Sequence, residues 1–219
     1  MTESNAADSL IRQRFRGYLP VIIDLETGGF NSQTDAILEI AATVVRMDED
    51  GVLTVHRTFS HNVAPFEGAN IEKAALDFTG IDPHHPFREA LHEREALMEI
   101  FRVVRKEIRD QGCTRGVIVA HNAHFDAGFI NAAVARQEIK RNPFHPFSYF
   151  DTATLAGLAF GQTVLAKACA AAGIEFNNAE AHSAAYDAER TAELFCDIVN
   201  RWREMGGWLD EVPGAVDPD

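Results

Sequence analysis

Apolar and polar positions divide the chain into stretches of two periods. Residues 18–26, YLPVIIDLE, open as an unbroken apolar run with β-branched members, the pattern of a strand buried on both faces, and reach two carboxylates at their end. Residues 37–47, ILEIAATVVRM, repeat the pattern. Residues 48–51 supply a turn and 52–60 a third strand, which predicts a three-stranded meander. The DEDG of that turn resembles the start of a calcium loop, but the later ligands and the closing Glu are missing. Pro, Gly and Asn interrupt residues 63–86, leaving loop and one short helix near 71–78. Over 87–110 the apolar positions Leu91, Leu97, Ile100, Phe101, Val104 and Ile108 fall close to a helical period.

Residues 116–121, GVIVAH, form a compact strand followed by a helix over about 125–138, and this β–α alternation sets the strand parallel to a neighbour. The stretch 141–150, RNPFHPFSYF, is rich in aromatics and proline and is expected to be a loop. A short helix or two follows over 151–172, with Gly173 suited to a C-cap. The last strong helix spans about 183–205 and is stopped by Gly206 and Gly207. The pattern is thus α/β, a mixed sheet with helices packed against it.

A chain of 219 residues is of a size to form one domain, residues 1–219, with short flexible termini at about 1–10 and 210–219. Hydrophobic residues at 46% and charged residues at 24% exclude a disordered or repetitive protein. The opening MTESNAADSL has no apolar stretch of signal-peptide length and no run of eighteen apolar residues occurs, so a cytoplasmic protein with no membrane contact is expected. Cys113, Cys169 and Cys196 are far apart and form no CxxC pair, which points to packing rather than to disulfides or zinc.

A formal net charge of −13 argues against a protein that coats nucleic acid by bulk attraction. The charge is uneven, however. Between Glu99 and Arg141 eight basic residues face five acidic ones, and Arg12, Arg14 and Arg16 form a second basic cluster. Taken alone, these clusters fit a solvated helical face as well as a local phosphate site.

Asp24 and Glu26 stand two positions apart at the end of the first strand, so both side chains point to one face. Held together there they repel, and a hard divalent cation with oxygen ligands is their natural partner, although DxE pairs also occur at solvated strand ends. Asp126 lies just beyond the fourth strand in HNAHFD, where it could equally serve as a helix N-terminal charge. Asp187 falls in the first turns of the last helix, after His182 in AHSAAYD. Continuous helix would separate His182 and Asp187 by about 140°, so they share a site only if His182 precedes the helix, with Ser183 as a possible cap. Four carboxylates from two strand ends and two helix starts suit two-metal phosphoryl transfer, with a histidine as general base, whereas His182 alone also fits an ordinary surface histidine.

The segments DLET at Asp24 to Thr27, HNAHFD at His121 to Asp126 and HSAAYD at His182 to Asp187 resemble the motifs of the histidine-containing branch of the DEDD exonuclease superfamily. The long stretches FRGYLPVIIDLETGGFN, ANIEKAALDFTGIDP, RNPFHPFSYFDT and GQTVLAKAC are similar to the ribonuclease T family within that branch. The resemblance implies an RNase H-like α/β fold with a five-stranded mixed sheet flanked by helices. It implies a homodimer that trims single-stranded 3′ ends of tRNA, rRNA and other stable RNA precursors, acts on single-stranded DNA ends, and tolerates terminal cytosine poorly.

By the same resemblance, Asp24, Glu26, Asp126 and Asp187 would bind two Mg2+ ions, with Mn2+ as a substitute, and His182 would activate water. Phe30, Phe78, Phe125 and Phe147 would stack on bases, a role open to any flat ring against a splayed base, while Phe125 and Phe147 also fit plain packing. Arg14, Arg16, Arg109, Arg115 and Lys140 would hold the RNA body for the partner's active site. One departure stands out: where the family is expected to place a base-reading Glu, this chain has Ala74, and Glu72 does not share its helical face. A proofreading exonuclease, an oligoribonuclease and a noncatalytic nucleic-acid binding module are the competing readings. The last has no use for four mutually repelling carboxylates beside phosphate.

Overall fold

A computed structural model describes residues 9–208, which form a six-stranded mixed sheet in the order β4-β3-β2-β1-β5-β6. The fraying expected of the termini concerns mostly residues 1–8 and 209–219, which lie outside the described residues. Strand β1 (Tyr18–Thr27) is antiparallel to β2 (Ile37–Met47), which is antiparallel to β3 (Leu53–Ala64). The β2–β3 turn is closed by Asp48, whose Oδ1 accepts the N–H groups of Asp50 and Val52. Residues Leu91–His92 form the two-residue β4, paired with Val63 and Ala64. Strands β5 (Arg115–Ala120) and β6 (Phe144–Asp151) run parallel to β1.

The apolar runs of β1 and β2 are buried on both faces, as their lack of alternation predicts. Helix α1 (Leu10–Arg14) precedes the sheet, and α2 (Lys73–Thr79) stands in the long connection after β3. Helices α3 (Glu93–Asp110) and α4 (Ala123–Arg136) pack together and on the sheet. Helix α5 (Thr152–Phe160) and helix α6 (Leu165–Ala172) lean on α7 (Ala184–Glu204), which crosses β1, β2 and β3. The buried stripe of α7 recurs at helical spacing through Ala184, Ala188, Ala192, Phe195 and Val199. Phe195 meets Phe15 and Phe150, joining the last helix to the chain's first turn and to β6.

The sheet is of the expected mixed α/β kind. Its sixth strand, β4, is too short to leave a periodic signal. The expectation of a loop over 141–150 is corrected: residues 144–151 are β6. Phe144 is buried edge-on against Phe101, and the backbone pairs with β5. Pro146 is accommodated because the β5–β6 register is irregular between the Gly116 and Ile118 pairings, where no ladder N–H is needed. Strands β5 and β6 end side by side while β1 runs on past them to Thr27, and the starts of α4, α5 and α7 lie at this end of the sheet. No single described helix is long and apolar enough to cross a membrane.

Candidate active site

Strand β1 delivers Asp24 and Glu26 to one face, and the antiparallel register sets Glu39 of β2 directly across from Glu26. Asp126 sits in the first turn of α4, which Asn122 enters through a left-handed backbone with φ of 73°. Asp187 occupies the first turn of α7. His182 precedes that helix, as geometry requires, and its left-handed φ of 69° folds the loop back so that its N–H donates to Asp187 Oδ2 at 3.1 Å. One ligand atom each from Glu26, His182 and Asp187 lie within 4.8 Å of one another.

The electrostatics of this pocket call for positive charge. Burial pushes the Asp24 carboxyl well above its ordinary range, and Asp126, Asp187, Glu26 and Glu39 add to the effect. Burial, then Asp187 and Glu39, push Glu26 up to about 8. Asp126 is raised chiefly by burial, against the N–H groups of its own residue and Leu25 that stabilise its charge. Burial also raises Asp187, and its Oδ1 is buried without a hydrogen-bond partner among the described groups. An orphaned oxygen amid crowded, desolvated carboxylates fits a divalent cation, which would supply the charge and the missing ligation together.

Two acids of this neighbourhood were not singled out in the sequence. Glu39 adds its charge to the cluster, and its Oε2 accepts the N–H of Ala184 at 3.2 Å, capping α7. The expected cap, Ser183, makes no such bond. Asp151 ends β6, caps α5 through the N–H groups of Ala153 and Thr154, and raises Asp126. A carboxylate inside the apolar run of β2 is the signal that could have marked Glu39, since a charge is uncommon in a strand whose neighbours are buried. His121 is bonded through both ring nitrogens. Its Nε2 donates to Thr163 O at 2.8 Å, its Nδ1 meets Thr152 Oγ1 at 3.0 Å, and burial lowers its pKa, so it clasps β5 to the start of α5 and the α5–α6 turn.

Exposed rings flank the carboxylates. Phe30 is 85% exposed and edge-on to the half-buried Phe125 at 6.2 Å, while Phe78, 67% exposed, lies 4.1 Å from the His182 ring. Phe147 is not gathered with them. It lies four residues before Asp151 on β6, edge-on to His145, which itself meets Tyr18 at the opening of β1. Arg16, Arg109, Arg115 and Lys140 are exposed at the opposite end of the parallel strands from the carboxylates. Arg14 shares that edge but is half-buried against Phe15 and Trp208, and burial lowers its pKa, so it is less free than its neighbours to meet phosphate.

Among solved structures, that of Escherichia coli Exonuclease I in complex with a dT13 oligonucleotide is similar at a TM-score of 0.65 and 19% identity, covering 87% of this chain and 43% of the other. The zinc-bound Exonuclease I–ssDNA complex of the same organism gives 0.64, 18%, 87% and 42%, and a product-bound exonuclease I gives 0.62, 18%, 86% and 45%. The chain thus spans less than half the length of these proteins, and at such identity the likeness is one of fold. The family model RNase_T, described as an exonuclease, matches residues 21–195. With most of its length in that match, the chain belongs to the RNase_T exonuclease family.

Proposed function

We propose that the chain acts as one exonuclease domain that removes nucleotides from single-stranded 3′ ends and releases nucleoside 5′-monophosphates. The observation that carries this reading is the convergence of Asp24, Glu26, Asp126 and Asp187 on one pocket, with His182 beside them and exposed rings at its mouth. The four carboxylates would hold two Mg2+ ions, with Mn2+ as substitute, which when bound lower the pKa of water and offset charge on the leaving 3′ oxygen. His182 takes the proton from the attacking water at a ring nitrogen. Its place on a loop pinned through its own N–H to Asp187 orients that ring without burying it. Phe30, backed by Phe125, and Phe78 stack on the 3′-terminal base, which requires it to be unpaired and so selects single strands.

The finer reading is trimming of tRNA and rRNA precursors by a homodimer whose basic edge, Arg16, Arg109, Arg115 and Lys140 with a lesser part for Arg14, holds the RNA body for the partner's pocket. Support for it comes from the long ribonuclease T-like segments and the clustering of these cations at one sheet end. With Ala74 at the base-reading position, discrimination against terminal cytosine is expected to be weak. A second reading, turnover or proofreading of DNA ends, is favoured by the single-stranded DNA held in the similar solved structures. A time course on 5′-labelled single-stranded RNA and DNA and on a blocked duplex, with Mg2+, with Mn2+ and with chelator, tests both. A metal-dependent ladder from the 3′ end that stops near duplex is expected, and the faster of the two single strands decides between the readings. Absence of cleavage in either metal would overturn the exonuclease assignment.

A further inference from the structure

Phe78, one of the two most exposed rings at the site, is carried by a segment with little packing of its own. Helix α2 has seven residues and none of them buried, and a helix of that length is not stable by itself. Its placement therefore comes from its junction with the rest of the chain. That junction is laced to the loop bearing Phe30: Glu72 N–H donates to Gly28 O at 2.7 Å, Asn70 N–H to Thr34 O at 2.8 Å and Ala36 N–H to Asn70 O at 3.2 Å. At the centre is Asp35, 1% exposed. Its Oδ2 accepts the N–H of Asn31 at 2.9 Å, the residue next to Phe30, and its Oδ1 accepts Asn70 Nδ2 at 3.0 Å and the Thr34 hydroxyl at 2.7 Å.

We propose that Asp35 is a positioning residue for the terminal base, tying the Phe30 loop to the start of α2 and so setting the gap between Phe30 and Phe78. The proposal rests on the reading of those rings as base-stacking groups. Burial acts to raise the pKa of this carboxyl, but the hydrogen bonds from Asn70, Asn31 and Thr34 outweigh it and leave it below the ordinary value. An ionised carboxylate is suited to the task because it accepts from both segments at once, and such bonds are stronger than neutral ones. Gly29 fits the same design: a Cβ there would stand 2.2 Å from Asp35 Oδ2 and 3.2 Å from Glu72 Cδ, so a side chain would force the clasp apart.

The test compares the full chain with its Asp35→Asn, Asn70→Ala and Gly29→Ala variants in Mg2+, on three substrates. These are an oligodeoxynucleotide with an ordinary 3′ end, the same strand ending in an abasic nucleotide, and bis(p-nitrophenyl) phosphate, which has no base. Asp35→Asn and Gly29→Ala should each cut kcat/KM on the ordinary end about tenfold, chiefly through KM, the size of one lost stacking contact. Asn70→Ala, at an exposed position that folding tolerates, should do so by a smaller factor in the same direction. The abasic end and the diester should respond by less than about twofold, since neither engages the rings. An equal loss on all three substrates would make Asp35 an ordinary scaffold residue and overturn the proposal, as would no loss on the ordinary end. Equal wild-type rates on ordinary and abasic ends would remove the stacking role and the proposal with it. No hydrolysis of any substrate by the wild type would instead overturn the exonuclease reading itself.

Discussion

Asp24 shows how one position can oppose stability while serving chemistry. Its carboxyl is desolvated and faces four other acids, so its ionised form is disfavoured until a cation arrives. Asp24→Asn should therefore lower turnover by about 10³-fold, the scale of a lost preorganised electrostatic contact. Metal-free protein carrying the same change should melt at the wild-type temperature or above it, because a carboxyl that is costly to bury among other acids has been removed. Near-normal turnover in Mg2+ would show that Asp24 holds no ion. Glu26 supplies the companion pH test. Its folded pKa of about 8 lies above the ordinary 4.5, so the folded state binds the extra proton and the stability this contributes is complete below about pH 4.5 and lost as pH rises through 8. In chelator the melting temperature is expected to fall between about pH 5.5 and 8.5, and added Mg2+ should restore it most at the upper end, where the ligands are deprotonated. A chelator profile that rises across that window would contradict the buried acid cluster.

At the level of elements, the α3–α4 pair is held by a buried clamp. Glu93 is 3% exposed and accepts from Arg136 Nε at 3.0 Å, Arg136 Nη2 at 2.6 Å and Gln137 Nε2 at 2.8 Å. Arg136 was part of the basic run in the sequence, yet here it is spent internally and also lies over the Phe66 ring. Arg136→Met should cost about 3–5 kcal/mol in urea unfolding because it strands a buried carboxylate, and combining it with Glu93→Leu should recover most of the loss. The rings at the pocket mouth behave oppositely. Phe30→Ala and Phe78→Ala remove exposed side chains, so unfolding should be little changed while single-strand affinity weakens by about 1–3 kcal/mol per ring. Unaltered affinity and single-turnover rate would remove the rings from the site.

Across the described residues, Arg16, Arg109, Arg115 and Lys140 stand at one end of the parallel strands and the clustered carboxylates at the other. Reversing Arg16 and Arg109 to Glu should weaken long single strands by about tenfold or more and reduce the slope of log affinity against log salt by about 2. Binding measured across a salt series, with sedimentation to report the number of copies, checks this. An unchanged slope would detach the basic edge from substrate.

Elements whose patterning is local are legible in the amino-acid order: the buried strands β1 and β2, the helical stripe of α7, and the three motifs whose carboxylates stand at predictable ends. Period and spacing are properties of neighbouring residues, so they survive without a fold. What the tertiary structure decided is which distant groups share a space. Glu39 joined the acidic cluster only through antiparallel register, β6 formed because β5 offered its edge to an aromatic stretch that reads as loop, and Asp35 became a clasp only once Asn70 was brought beside it. Phe147, alike in composition to Phe30 and Phe78, was set apart from them along β6. Hydrogen-bond partners and charge neighbours are settled by through-space distance, which chain order does not encode.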